Sequence, residues 1–391
     1  MYDFDSINDR RNTASLKWNV ADGELPMWVA DMDFKTSPEI IDALAKRVSH
    51  GIFGYSDITD EWYDAYIDWW KNRHSFEMRR EWLIFCTGVI PAISSIVRKL
   101  TTPAEKVVIM TPVYNIFFNS ILNNGRQVSE SRLKFDGRSY KIDYDDLESK
   151  LSDPQASMMI LCNPHNPTGM VWDKETLKKI GDMCKENNVT VVSDEIHCDI
   201  TDPDLSYIPF ASVSENCREN SITCIAPTKA FNIAGLQTAA VSIPNPLLRH
   251  KVWRGLNTDE AAEPNAFAVT AAVAAFTRGA PWLDELRNYI FENKQTALSF
   301  VKDNIDGITA VPSEATYLLW LYCGKITDSS DRLAEHIRNK TGLYLSAGGQ
   351  FGGDGNLFLR MNIACPRRVL KDGLTRLKNA VETFENNKIA R

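Results

Sequence analysis

No stretch of about 18 uncharged apolar residues occurs in the 391-residue chain, so a membrane-spanning helix is not expected. The N-terminus, MYDFDSINDRRN, lacks an apolar core of signal-peptide length, and a cytoplasmic location is the expectation. Basic runs are missing too and the net charge is -7, which argues against a nucleic-acid partner. Neither Cys162-x-x-His165 nor the pair His197-Cys198 is completed by a second Cys-x-x-Cys or a His-x-x-x-His, so no metal is expected. The eight cysteines show no repeated spacing, and Cys86, Cys162, Cys224 and Cys323 lie in or at the end of apolar runs. They read as small core residues in a reducing compartment. Internal repeats and low-complexity linkers are absent.

What is present is ordinary globular material: 44% hydrophobic and 24% charged residues. The length is too great for one typical core, so a large domain with a smaller partner is expected. From about residue 82 to 245, short apolar runs alternate with amphipathic helical patterns. WLIFCTG, KVVIMTP, SMMILCNP, TVVSDE and SITCIAP read as strands, and their near-continuous apolarity implies burial on both faces. Residues 90–100 put Ile93, Ile96, Val97 and Leu100 on one helical face, and residues 173–188 open on Asp173 as an N-cap. Alternating strands and helices predict an α/β fold with a large, doubly wound, mostly parallel sheet, whose ligands sit outside the carboxyl ends of the strands. The last hundred residues change pattern: helix, the run ITAVPSEATYLLWLYC, helix, a glycine-rich turn, the strand LFLRMNIA and a final helix. This predicts a smaller α+β domain at 285–391, joined by an N-terminal segment at 1–44, with the large domain at 45–284. The boundary near residue 284 is soft, because a long helical pattern lies across it.

Polar residues fall at the strand ends. TVVSDE places Asp194 at the end of a buried strand, where a carboxylate is costly unless it meets a cation or strong donor. SITCIAPTK places Lys229 just past the next strand, where burial depresses an amine's pKa. In NPHNPTG each proline keeps the preceding residue extended, so Asn163 and Asn166 are held out of helical geometry, and Gly169 allows a sharp exit. CTGVIPA presents Gly88, Val89 and Ile90 at a helix N-terminus, where free N–H groups hold a phosphate. An acid for a pyridinium nitrogen, an amine for an aldehyde, an amide for a phenolate and a helix N-terminus for a phosphate are the complements of pyridoxal phosphate. Taken singly each residue has a plainer reading: a solvated lysine, a turn aspartate, a tight Asn-Pro connection. The GGQFGGDG run at 348–355 is a turn, not a nucleotide fingerprint, because a strand follows it where a helix should.

NPHNPTG, SDEIH, APTKAFNIAGLQ and FGGDGNLFLRMN, in this order, resemble the fold type I pyridoxal-phosphate enzymes of the class I/II aminotransferase family over nearly the whole chain. LPMWVADMDF, FGYSD, TPVYNIFF and DEIHCDI are similar to the MalY/PatB-type cystathionine β-lyase (C–S lyase) branch. The resemblance implies the cofactor pyridoxal 5'-phosphate, bound by Lys229, which then shuttles the α-proton. It implies Asp194 on the ring nitrogen, Asn166 on the ring 3-oxygen and Tyr114 stacked on the ring. Arg360 would grip the substrate carboxylate, and Met27-Trp28 would cover the substrate. Tyr55 would reach the cofactor phosphate of a neighbouring subunit, so the expected active unit is a homodimer with shared sites. Two departures stand out. Ala226 and Gln237 occupy positions where many relatives have a phosphate-binding Ser and Arg, leaving Thr228, the Gly88–Ile90 amides and Tyr55 for that task. His197 stands where aminotransferases often have a tyrosine facing the 3-oxygen. The implied activity is a carbon–sulfur β-lyase acting on a small sulfur amino acid, with cystathionine the first candidate. The alternatives are an aminotransferase, for which Arg11 or Lys17 would be the cation for a second carboxylate, and a branch member that also binds a transcription regulator.

Overall fold

The computed structural model describes residues 2–389. All five sequence-predicted strands form, as Leu83–Cys86, Lys106–Thr111, Ala156–Cys162, Thr190–Asp194 and Ser221–Ile225. Two more, Gln127–Arg132 and Ala239–Ser242, complete a seven-stranded sheet. Gln127–Arg132 alternates exposed with buried residues at the sheet edge, and Ala239–Ser242 is only four residues long, so neither has the long apolar run that marks the others. In spatial order the strands are Leu83–Cys86, Ala239–Ser242, Ser221–Ile225, Thr190–Asp194, Ala156–Cys162, Lys106–Thr111 and Gln127–Arg132. The last five run parallel. Ala239–Ser242 is antiparallel to both of its neighbours, so Leu83–Cys86 runs in the same direction as the parallel five.

Both faces of this sheet are covered, and the period of two along each strand decides which side chain goes where. Val107, Ile109, Met158, Ile160 and Val192 face the helices Val89–Leu100 and Pro246–Thr258. Val108, Met110, Met159, Leu161 and Val191 face Tyr144–Leu151 and Lys174–Glu186. Burying each such side chain is worth about 1.5–3 kcal/mol, so a one-residue register slip would be ruinous. The predicted N-cap is confirmed: Asp173 accepts the Thr176 N–H at 2.7 Å.

The C-terminal segment forms an antiparallel four-stranded sheet in the order Thr309–Ala310, Leu318–Tyr322, Phe358–Asn362, Ser346–Ala347. Leu25–Pro26 pairs in parallel with Leu343–Tyr344, which ties the N-terminal segment to this region. The 25-residue helix Ala280–Asn304 runs straight through position 284. No helix among the described residues is long and apolar enough to cross a membrane.

Candidate active site

Four strands deliver their carboxyl ends to one edge of the large sheet. Leu83–Cys86 leads to Gly88, the N-cap of Val89–Leu100; Ala156–Cys162 leads into the Asn163–Gly169 loop; Thr190–Asp194 ends on Asp194; Ser221–Ile225 leads to Thr228 and Lys229. Gly169 has a φ of 71°, and a Cβ there would lie 2.5 Å from the Ser313 Cβ, so the loop can turn under the neighbouring chain only with glycine. A cavity of about 280 Å³ opens at this edge. Lys229, Thr228, Asp194, His197, Asn166 and Tyr114 line it, together with Gly88, Val89 and Ile90. Gly88 and Lys229, 141 positions apart in sequence, are thus brought together as the motif reading requires.

The charges here are poorly answered within the chain. Burial raises the Asp194 carboxyl to about 7, and its hydrogen-bond donor is the Ile196 N–H at 3.1 Å, not a cation. Burial lowers the Lys229 amine to about 8, with the Arg360 guanidinium adding to the effect, and its Nζ donates to the Ala30 carbonyl at 2.6 Å. Burial drives His197 down to about 3, so the imidazole is neutral, and its Nδ1 has no partner among the described residues. Arg360 is 6% exposed and adjoins the cavity through Asn166, donating from Nη1 to Asn166 Oδ1 at 3.1 Å and from Nη2 to the Trp28 carbonyl at 3.0 Å. Its Nε has no partner, no carboxylate among the described residues pairs with it, and burial lowers it to about 10. A buried guanidinium without an acid is costly.

The sequence model of the aminotransferase class I and II family matches residues 25–377. The chain belongs to this family. Cystathionine beta-lyase PatB of Bacillus subtilis is 42% identical over 97% of this chain and 99% of its own length. Protein MalY of Escherichia coli is 33% identical over 97% of this chain and 99% of its own. The solved structure of cystalysin from Treponema denticola, which contains a pyridoxal 5'-phosphate cofactor, superposes with a TM-score of 0.95 at 32% identity, covering 98% of this chain and 99% of that one.

Four of the sequence-predicted residues lie outside the cavity wall, among them the buried Met27. Arg360 is another. Trp28 is the third: its ring stacks on Tyr344 with centroids 4.9 Å apart, and its indole Nε1 is buried without a partner. Tyr55 is the fourth, fully exposed in the irregular segment 51–59 beside the exposed Ile52 and Phe53. Of the two departures, Ala226 is buried and does not line the cavity, whereas Gln237 does. The antiparallel strand explains the latter, since Ala239 sits opposite Cys86 and brings its preceding turn to the carboxyl edge.

Sequence reading missed the contribution of residues 28–34. The Trp28, Val29, Ala30 and Asp31 carbonyls accept from Arg360, Asn362, Lys229 and Asn362 again, and Tyr317 adds a second bond to Ala30. Asn232 holds Met32 through both its N–H and its carbonyl. Carbonyls carry no sequence signal, so only the three-dimensional arrangement reveals this strap. Neither cysteine-histidine pair of the sequence stays together as a pair: His165 Nδ1 lies 2.9 Å from Thr168 Oγ1, and Cys198 groups not with His197 but with His74 and Asp199, whose ligand atoms lie within 4.8 Å of one another. Asp199 there accepts from the Trp69 indole and contacts His74, both at 3.0 Å.

Proposed function

We propose that the chain is a pyridoxal-5'-phosphate-dependent carbon–sulfur β-lyase that, with water, converts L-cystathionine and related cysteine S-conjugates to a thiol, pyruvate and ammonia. Homocysteine is the thiol in the case of cystathionine. The observation that carries this reading is one cavity holding a buried lysine amine and a buried aspartate whose carboxylate is hydrogen-bonded to no cation among the described residues. The residues fit the cofactor: Asp194 needs a cationic N–H, the His197 Nδ1 needs a partner, and the amides at Gly88–Ile90 can receive a phosphate.

When bound, the cofactor supplies an electron-withdrawing ring that acidifies the substrate Cα–H and lets a β-sulfur depart. In this proposal Asp194 would keep the ring nitrogen protonated, Asn166 and His197 would serve the ring 3-oxygen and Tyr114 would pack on the ring. The Lys229 amine would hold the cofactor through its aldehyde group and would accept the substrate Cα proton. An amine held at about 8 has a useful neutral fraction near neutral pH. Arg360 grips the substrate carboxylate as a planar two-pronged donor, a task that lysine performs less well. Trp28 would cover the substrate, and Thr228 and Gln237 would join the helix amides in holding the phosphate.

Lysis is favoured over transamination of a dicarboxylate because the two candidate second cations are already engaged. Lys17 pairs with Asp33 at 2.8 Å, and Arg11 donates to the Glu24 carbonyl at 3.1 Å and lies 3.7 Å from Asp22. The test is incubation of the purified holoenzyme with L-cystathionine and no keto acid. Equal release of pyruvate and free thiol over many turnovers is expected. Conversion of the cofactor to its amine form, reversed by a keto acid, would make the protein an aminotransferase instead.

The proposed active unit is a cytoplasmic homodimer in which Tyr55 reaches the phosphate in the neighbouring subunit, consistent with its full exposure here. Heterodimers of Tyr55→Phe and Lys229→Ala subunits are expected to recover up to about a quarter to a half of wild-type activity, since one intact composite site forms. No recovery in verified heterodimers would remove Tyr55 from the partner's site.

Asp194 also predicts a pH dependence of the cofactor-free protein. Its carboxyl is raised on folding, so its contribution to stability is full below 3.8 and is lost as pH rises through about 7. Glu195, likewise raised to about 7, gives a slope of the same sign. Asp194→Asn is therefore expected to flatten, without abolishing, the fall in thermal midpoint over that window. An unchanged slope would show that Asp194 is not buried as an unpaired acid.

A further inference from the structure

The Glu195 carboxyl is completely buried, next in sequence to Asp194, and the reaction described above makes no use of it. Its Oε1 accepts from the Ser193 hydroxyl at 2.9 Å and the Phe210 N–H at 3.0 Å. Its Oε2 is buried with no hydrogen-bond partner among the described residues, although the Tyr207 hydroxyl is close enough to interact with it. The Tyr207 hydroxyl has one proton for two acceptors, this oxygen and the Asn163 carbonyl. That proton goes to the Asn163 carbonyl at 3.0 Å, while the Tyr207 oxygen receives the Asn163 Nδ2–H at 3.4 Å. The amide orientation of Asn163 is fixed independently, because its Oδ1 accepts the Trp172 N–H at 3.0 Å. One way remains to satisfy both oxygens: the carboxyl carries the proton and donates it to the second lone pair of Tyr207.

We propose that Glu195 is kept as an uncharged acid that donates to Tyr207, and that the chain Glu195–Tyr207–Asn163 positions the two loops that bear Asp194 and Asn166. The Asn163 N–H, which donates to the Asp194 carbonyl at 3.0 Å, closes the brace from the other side. Every member is buried: Asn163 and Glu195 completely, Tyr207 to 5% exposure. Burial, the largest influence, and the neighbouring Asp194 favour the uncharged state. The Phe210 N–H and the Ser193 and Tyr207 hydroxyls favour the charged one but do not outweigh them, and among the described residues no lysine or arginine bonds to the carboxyl. A charged Glu195 beside Asp194 would place two carboxylates in one interior, with Lys229 acting on Asp194 but bonded to neither. Neutrality leaves the Asp194 charge alone to answer a protonated ring nitrogen.

Two readouts test this, and the first does not depend on the proposed reaction. Infrared difference spectroscopy of wild type against Glu195→Gln is expected to show loss of a protonated-carboxyl C=O band at neutral pH; a lost ionised-carboxylate band instead would overturn the proposal. The second readout rests on the cofactor reading and uses purified variants titrated with pyridoxal 5'-phosphate. Glu195→Gln retains an N–H donor for Tyr207 and removes no charge, so cofactor affinity and the pH dependence of its visible band should stay at wild-type values. Tyr207→Phe, which keeps the volume but breaks the brace, should weaken retention about tenfold, as expected for a buried polar group left without its partner. A Glu195→Gln variant whose band shifts along the pH axis by a unit or so, as loss of a nearby charge requires, would refute the neutral state. Unchanged retention in Tyr207→Phe would refute the positioning role.

Discussion

Replacing Lys229 with alanine is expected to lower turnover of L-cystathionine by at least about 10,000-fold, because in the proposed function one amine would both hold the cofactor and carry the Cα proton. The substitution should also remove the cofactor's yellow absorption band, while added pyridoxal phosphate is still retained through Asp194 and the helix amides. Folding should survive. The Lys229 amine is held below its ordinary range by burial, so removing it relieves a desolvation cost, and Tyr317 keeps its 3.1 Å bond to the Ala30 carbonyl. Thermal unfolding of the variant therefore separates lost chemistry from lost structure. A well-folded Lys229→Ala protein with more than trace turnover would end the assignment.

Arg360→Ala is the second large effect, with a loss of about 100- to 1,000-fold in kcat/KM, the range for removing a buried charge from its partner. Most of that loss should fall on KM, since the carboxylate is bound alike before and during reaction. A smaller part should fall on kcat, because the same guanidinium aims the Asn166 amide and fixes the Trp28 carbonyl. Arg360→Lys should recover charge but not the two-pronged geometry, and so remain well below wild type. An unchanged KM in Arg360→Ala would take Arg360 out of the carboxylate role.

Much of this site was legible before the fold was known, and the reason is local. A strand buried on both faces must be apolar along its whole length, so SMMILC, TVVSD and SITCI announce themselves, and any charged residue just past their ends stands out. Asp194, Lys229 and the Asn163–Gly169 loop were found in that way. The two missed strands lack the signal for the same reason: one is a half-exposed edge and the other is short.

The sequence by itself determined the order of strands and helices, the chemistry at the strand ends and the family resemblance, because these depend on side-chain type and on spacing along the chain. Only the tertiary structure decided how distant groups answer one another. Arg360 meets Asn166 across 194 residues, and Lys229 meets the Ala30 carbonyl across 199. The antiparallel Ala239–Ser242 strand turns Gln237 into the cavity, and Tyr207 bonds to the Asn163 carbonyl across 44 residues. Hydrogen bonds of this kind use backbone carbonyls and buried polar atoms that have no periodicity to read, and their partners are set by how the strands and helices pack.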